Sequence, residues 1–179
     1  AFLLRLKNDF PQNYQMILNT VKLVAPFVSD FILKPSGTSK DRIAFKWKQK
    51  GCEDVFNSSQ LSDGTLRFIC LTTLLLQPTI LQPSTIIIDE PELGLHPYAI
   101  GQLAEMIRDA SLHAQIIVST QSTLLIDEFS ADNITVIEHD EVGNYTTAKK
   151  LNEEQLSDWL QDYTISELWT KNVIGGQPL

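Results

Sequence analysis

Cysteine is scarce: Cys52 and Cys70 are the only two in 179 residues, with no C-x-x-C and no Cys/His ligand spacing. That excludes a disulfide framework and a cysteine-based metal site, and it suits a reducing cytoplasm. Long hydrophobic runs are missing too. None approaches the ~18 residues a membrane helix needs, and no leader pattern is visible, so no membrane partner is expected. Basic residues are outnumbered, 14 Lys and Arg against 22 Asp and Glu. The resulting net charge of −8 argues against a generic polyanion binder. Of 8 glycines, none precedes lysine, so the phosphate-cradling loop G-x-x-x-x-G-K-[ST] does not occur.

The residues that are present describe a globular α/β chain. Apolar content is 43% and charged content 20%, enough for one domain with its own core. The chain begins at Ala1 inside an amphipathic pattern (Phe2, Leu3, Leu6, Phe10), as a piece of a longer protein would. Helices are expected over 1–8 and 11–27, with Pro11 as a helix starter. "FILKP" opens an extended stretch. "DRIAFKWKQK" alternates, Ile43, Phe45 and Trp47 against Arg42, Lys46 and Lys48. "VFNSSQL" continues extended up to "LSDGTLR". A helix over 64–76 presents Leu66, Ile69, Cys70, Thr73 and Leu74 to the core. Strand 85–89, helix 97–112 (Ile100, Leu103, Ala104, Ile107) and strand "AQIIVSTQS" form a parallel pair with a crossover helix. A short helix near 122–128, a hairpin over 134–150 turning at Gly143-Asn144, and two closing helices complete the chain. Asn152 is expected to cap the first of these, and Trp159, Tyr163, Leu168 and Trp169 to be core.

In open parallel sheets, ligands sit at the carboxyl ends of the strands. One strand here ends in Asp89-Glu90, the other in Ser119-Thr120-Gln121-Ser122. An Asp at a strand tip suits Mg²⁺, which takes few protein carboxylates and keeps phosphates and waters. A second acid beside it suits a base for attacking water. Either acid can also simply cap the following helix. In "LSDGTLR", Ser62 and Gly64 stand where a helix begins. Free N–H groups, a hydroxyl and the helix dipole there favour an anion. Gly64 lets a phosphate come close to the backbone. A lone S-D-G is a common turn, but Leu61 lies 28 residues before Asp89 with one amphipathic helix between.

In that order the motifs resemble an ABC-type ATPase. "LSDGTLR" is similar to the signature motif, "TIIIDEPELGLHP" to the Walker B strand with its catalytic glutamate, and "IIVSTQS" to the switch strand. The likeness is to the RecF-like, SMC-like and OLD-like branch. Closer still, the stretch from "AFLLRL" to "ELWTKNVIGGQP" resembles a family of bacterial AAA, ABC-like ATPases. The resemblance implies a P-loop NTPase fold whose C-terminal half this chain supplies as a single domain over 1–179, the P-loop half lying upstream. It implies ATP as substrate and Mg²⁺ as cofactor, held through Asp89, largely by way of water. Glu90 would polarise the attacking water. Ser62 and the Gly64 backbone would bind the γ-phosphate held by the second subunit of a homodimer. Gln121, where many members carry His, would sense that γ-phosphate. Glu92 and His96 would lie near the dimer seam, although His96 before Pro97 also suits a simple helix cap. A DNA-repair or phage-defence role comes only from the resemblance.

Other readings stand beside it. A metal-dependent nuclease or hydrolase would use Asp89, Glu90, Glu92 and His96. A non-catalytic interaction module would use none of them. A nucleic-acid partner would meet the basic face of Arg42, Lys46 and Lys48, flanked by Lys40 and Lys50; a solvated face explains the same pattern.

Overall fold

The computed structural model describes residues 1–36, 39–140 and 143–176. The chain divides into two compact units, Ala1–Ser119 and Thr120–Leu179. Among the described residues no helix is long and apolar enough to cross a membrane.

The first unit opens with helices α1 (Phe2–Asp9) and α2 (Pro11–Val24). Pro11 sits in the first turn of α2, where a missing N–H costs nothing. The expected run to residue 27 stops short at Val24. Ala25 precedes Pro26, which disfavours helical backbone there. Strands β1 (Val28–Ser36), β2 (Ser39–Gln49) and β3 (Val55–Asn57) follow as an antiparallel sheet in that order. The alternation in β2 holds. Trp47 is buried opposite Phe31 and stacks on Phe56, whereas Arg42, Lys46 and Lys48 are exposed. The side chain of Lys40 lies outside the described residues. Beyond Asn57 the chain is not extended, as expected, but makes one tight helical turn at Ser58–Gln60, where the Gln60 side chain accepts the Asn57 N–H at 2.8 Å.

Helix α3 (Asp63–Leu75) packs against α2 and against α4 (Pro97–Ser111). Its buried face is Phe68, Ile69, Leu71, Thr72 and Leu75; of the stripe expected, Ile69 is buried, whereas Leu66, Thr73 and Leu74 are half-buried. Cys70 is exposed rather than core-facing. The helix is apolar on more than one side, and having helices as neighbours decides which side is covered. Thr72 can be buried because its hydroxyl donates to the Phe68 carbonyl at 2.7 Å. Strands β4 (Thr85–Asp89) and β5 (Gln115–Ser119) pair in parallel, joined through α4, as the pattern predicts. β4 is only half-buried: Ile86 and Ile88 face inward, while Ile87 is 74% exposed.

The second unit holds α5 (Thr123–Ile126), the hairpin β6 (Thr135–Asp140) and β7 (Tyr145–Lys150), α6 (Ser157–Leu160) and α7 (Ile165–Thr170). Asn144 takes the left-handed conformation the hairpin turn requires (φ 50). The core gathers Val136, Leu151, Ile165, Leu168 and Ile174. Trp159 and Tyr163, expected inside, are exposed and tilt against each other. Asn152 caps a turn rather than a helix, its side chain accepting the Gln155 N–H at 2.9 Å.

One polar cluster ties α1 and α2 to β1. Lys7 Nζ donates to Tyr14 Oη (3.1 Å), Asp30 Oδ2 (3.1 Å) and the Phe31 carbonyl (3.0 Å). Tyr14 donates to Asp30 at 2.7 Å. Burial by itself would raise the Asp30 carboxyl. The bonds from Tyr14, Lys7 and the Phe31 amide outweigh it and hold the group below its usual range. Burial, and then the Asp30 bond and charge, push the Tyr14 phenol upward. A carboxyl depressed on folding contributes stability above its unfolded value of about 3.9 and loses it as pH falls through the folded value. Asp30→Asn should therefore lower the melting temperature at pH 7 by roughly 2–4 °C. That corresponds to a charged hydrogen-bond loss of about 1 kcal/mol after solvent screening. In thermal melts below about pH 4 the gap to wild type should narrow.

Candidate functional site

The parallel register sets Asp89 directly opposite Ser119 at the carboxyl ends of β4 and β5. The Ser119 hydroxyl donates to Asp89 Oδ1, which fixes one carboxylate oxygen and leaves the exposed other side to solvent. The next residue, Glu90, is left-handed, with φ 44. For a residue other than glycine this costs about 1–3 kcal/mol and persists only where surrounding bonds impose it. Here they do. The Glu90 N–H donates to the Ser119 carbonyl at 3.0 Å, and the Glu90 carbonyl accepts the Leu93 N–H at 3.2 Å and the Arg67 guanidinium at 3.0 Å.

The turn then runs through buried Pro91 and Glu92 to Gly94, itself left-handed at φ 78. The Leu95 N–H closes onto the Glu92 carbonyl at 2.9 Å. His96 is the N-cap of α4, its Nδ1 accepting the Tyr98 N–H at 3.2 Å, and so the capping reading of His96 holds.

The first turn of α3 lies against this turn. Ser62 caps α3, its Oγ accepting the Thr65 N–H at 3.2 Å and lying 2.9 Å from the Thr65 hydroxyl. Gly64 is needed for a reason the sequence did not announce. A methyl there would overlap the Gly94 carbonyl oxygen and stand 3.1 Å from its carbon. The partner that approaches Gly64 in this structure is therefore the protein's own backbone.

Of the residues named from sequence, the structure brings Asp89, Glu90 and Glu92 into one short segment, joins Gly64 to it through Gly94, and sets Ser62 two residues away along α3. Gln121 follows Ser119 by two residues and belongs to the second unit. Glu92 is buried. Arg67, Gly94 and Ser119 lie inside the motifs, but their sequence context assigns them no role. Their signal was present only as position: Arg67 lies one turn beyond Gly64, and Ser119 ends its strand where Asp89 ends the other.

Among the described residues no three His, Cys, Asp or Glu side chains gather closely enough to hold a metal. A nuclease reading in which Asp89, Glu90, Glu92 and His96 act together on one ion therefore has no three-ligand cluster to rest on. A cation at Asp89 would take most of its ligands from phosphates and water, which is the habit of Mg²⁺.

A family model described as "AAA domain, putative AbiEii toxin, Type IV TA system" matches residues 7–127, a span that includes all of the elements just described. The chain belongs to this AAA family. It is 28% identical over 130 residues to the energy-coupling factor transporter ATP-binding protein EcfA2 of Lactobacillus delbrueckii subsp. bulgaricus. That match covers 69% of this chain and 42% of the relative, so the chain spans less than half the length of the curated relative it matches. Among solved structures, the Smc head domain of Pyrococcus furiosus, bound to the C-terminal domain of ScpA, aligns with a TM-score of 0.61 at 16% identity. It covers 86% of this chain and 38% of that one. A structure from work on ATP-driven dimerization and DNA stimulated activation of SMC ATPases aligns with a TM-score of 0.55, also at 16% identity, covering 87% and 96%. The AAA chain thus has the mixed α/β fold of ABC and SMC ATPase heads, a parallel pair with crossover helix plus antiparallel hairpins.

Because the clash at Gly64 is with backbone rather than a flexible side chain, Gly64→Ala should cost about 1–3 kcal/mol, the usual range for overpacking. Urea unfolding should show this as a lower midpoint with unchanged slope.

Proposed function

We propose that this chain supplies the hydrolysis-directing half of an ABC-type ATPase that binds ATP and dimerises on it. The phosphate-cradling loop comes from another part of the protein. The observation that carries the reading is the pairing of Asp89 with Ser119 at one strand edge, with the left-handed Glu90 turn immediately behind it and the capped start of α3 packed on that turn. The family match and the shared fold support it.

In this reading Asp89 would hold the Mg²⁺ that accompanies ATP, and that ion would supply charge neutralisation of the phosphates. Phosphoryl transfer asks for positioning and charge compensation more than covalent help. Glu90 accepts a hydrogen bond from the attacking water and draws off its proton. Gln121 donates a hydrogen bond to the γ-phosphate; an amide cannot be protonated as histidine can, so this contact is indifferent to pH near neutrality. Ser62 and the backbone of Gly64 serve the nucleotide of the partner subunit, through the hydroxyl and the helix N-terminus. The segment from Glu92, whose side chain is buried, to the exposed His96 would lie toward the seam of that homodimer. By analogy with the DNA-stimulated SMC ATPases, the basic face of Arg42, Lys46 and Lys48 is the surface to which a nucleic acid would bind. A DNA-repair or phage-defence setting is the corresponding biological proposal.

The test is Glu90→Gln in the full-length protein. Gln keeps the shape and removes the base. Turnover should fall by roughly 10²-fold or more, ATP affinity should persist, and ATP-bound dimers should accumulate by size-exclusion with light scattering. Unchanged turnover would remove Glu90 from the role. Ser62→Arg should likewise stop hydrolysis while leaving ATP affinity of the isolated subunit intact, as calorimetry would show. Loss of that affinity would count against action across the dimer.

A further inference from the structure

Arg67 takes no part in the proposed reaction itself, yet it bonds the backbone of the residue on which that reaction depends. Gly64 and Arg67 are three apart on α3 and share one face of the helix. From that face Gly64 meets the Gly94 carbonyl, and Arg67 donates to the Glu90 carbonyl at 3.0 Å. Glu90 and Gly94 are the two ends of one turn, and each is left-handed. A single helix face therefore grips both ends of the turn that carries the candidate base.

We infer that Arg67 is a positioning residue that fixes the backbone, and hence the carboxylate direction, of Glu90. With the Gly64–Gly94 contact it makes the acidic turn move as one body with the N-terminus of α3. This rests on the reading of Glu90 as the base. A charged donor on a carbonyl oxygen makes a stronger bond than a neutral one. Here it holds a strained peptide that otherwise accepts the Leu93 N–H at 3.2 Å. A displacement at the α3 N-terminus, where the partner's nucleotide would sit, is then passed to Glu90 through rigid contacts rather than through a flexible loop.

The experiment compares Arg67→Ala, Arg67→Lys and Glu90→Gln, singly and with Arg67→Ala combined with Glu90→Gln, in the full-length protein. Arg67→Ala should lower kcat roughly 10–100-fold, the scale of a misplaced catalytic group, with KM for ATP little changed. Arg67→Lys, which keeps a cationic donor, should restore part of it. Adding Arg67→Ala to Glu90→Gln should cost nothing further. Hydrogen exchange, which needs no activity, should show the Leu93 amide less protected in Arg67→Ala. Wild-type kcat in Arg67→Ala beside an inactive Glu90→Gln overturns the inference and leaves the reading of Glu90 standing. So does a raised KM with a lowered melting point in both Arg67 variants, which marks a general structural role. Wild-type turnover in Glu90→Gln overturns the reading of the base, and the inference with it.

Discussion

The side-chain alternation along β4 is the constraint on which the site depends. In a strand, successive residues face opposite sides. Ile86 and Ile88 are buried, so Thr85, Ile87 and Asp89 take the open face. Asp89 is thereby presented outward without further machinery, and the Ser119 hydroxyl on the paired strand steadies it. Continuing the strand by one residue would send Glu90 to the side of Ile86 and Ile88. An ionised carboxylate there would lose its water for an apolar surface, at a cost well beyond the few kcal/mol of a strained φ. The left-handed backbone at Glu90 ends the alternation at the one position where its continuation would be most expensive.

That break creates a second demand, which the neighbouring helix meets. The strained peptide is stable only while its N–H and C=O are held. Ser119 holds the first, and Leu93 with Arg67 the second. For Arg67 to reach the Glu90 carbonyl, α3 must lie close to the turn, and closeness leaves no room for a Cβ at Gly64. Gly94, left-handed as well, completes the turn without the penalty another residue would carry. The strain at Glu90, the glycine at 64 and the arginine at 67 are thus one requirement expressed at three positions.

How much of this was legible in the sequence follows from range. The isoleucine run and the apolar face of α4 were readable because local periodicity decides them, and the crossover order follows from handedness and length. The motifs at 61–67 and 85–97 were readable as ordered spacing. The face of α3 was not: Leu66, Cys70 and Leu74 form as good an apolar stripe as Phe68, Leu71 and Leu75, and only the packing against α2 and α4 selects between them. Trp159 and Tyr163 misled because a large aromatic signals burial on average rather than at a given position. The Gly64–Gly94 approach joins residues 30 positions apart, and the Arg67 bond spans 23. No local pattern marks either one.

The same geometry accounts for how the labour of an ATPase would be divided. Asp89 and Glu90 are both acids, and Asp63 stands exposed in the first turn of α3. The dipole at that helix start amounts to only about half a positive charge, which the Asp63 carboxylate works against. Arg67, the cation on this face, is spent on a carbonyl oxygen. A polyphosphate approaching these residues alone meets more negative charge than positive, and each unit charge at about 4 Å is worth roughly 1–4 kcal/mol depending on solvent exposure. In the proposed reading, ground-state affinity for a nucleotide would come from groups outside this turn, such as a phosphate-cradling loop and a divalent cation. What the turn can supply is direction: the outward carboxylate of Asp89, that of Glu90 on a backbone fixed by its own hydrogen bonds, and a rigid link to the helix start.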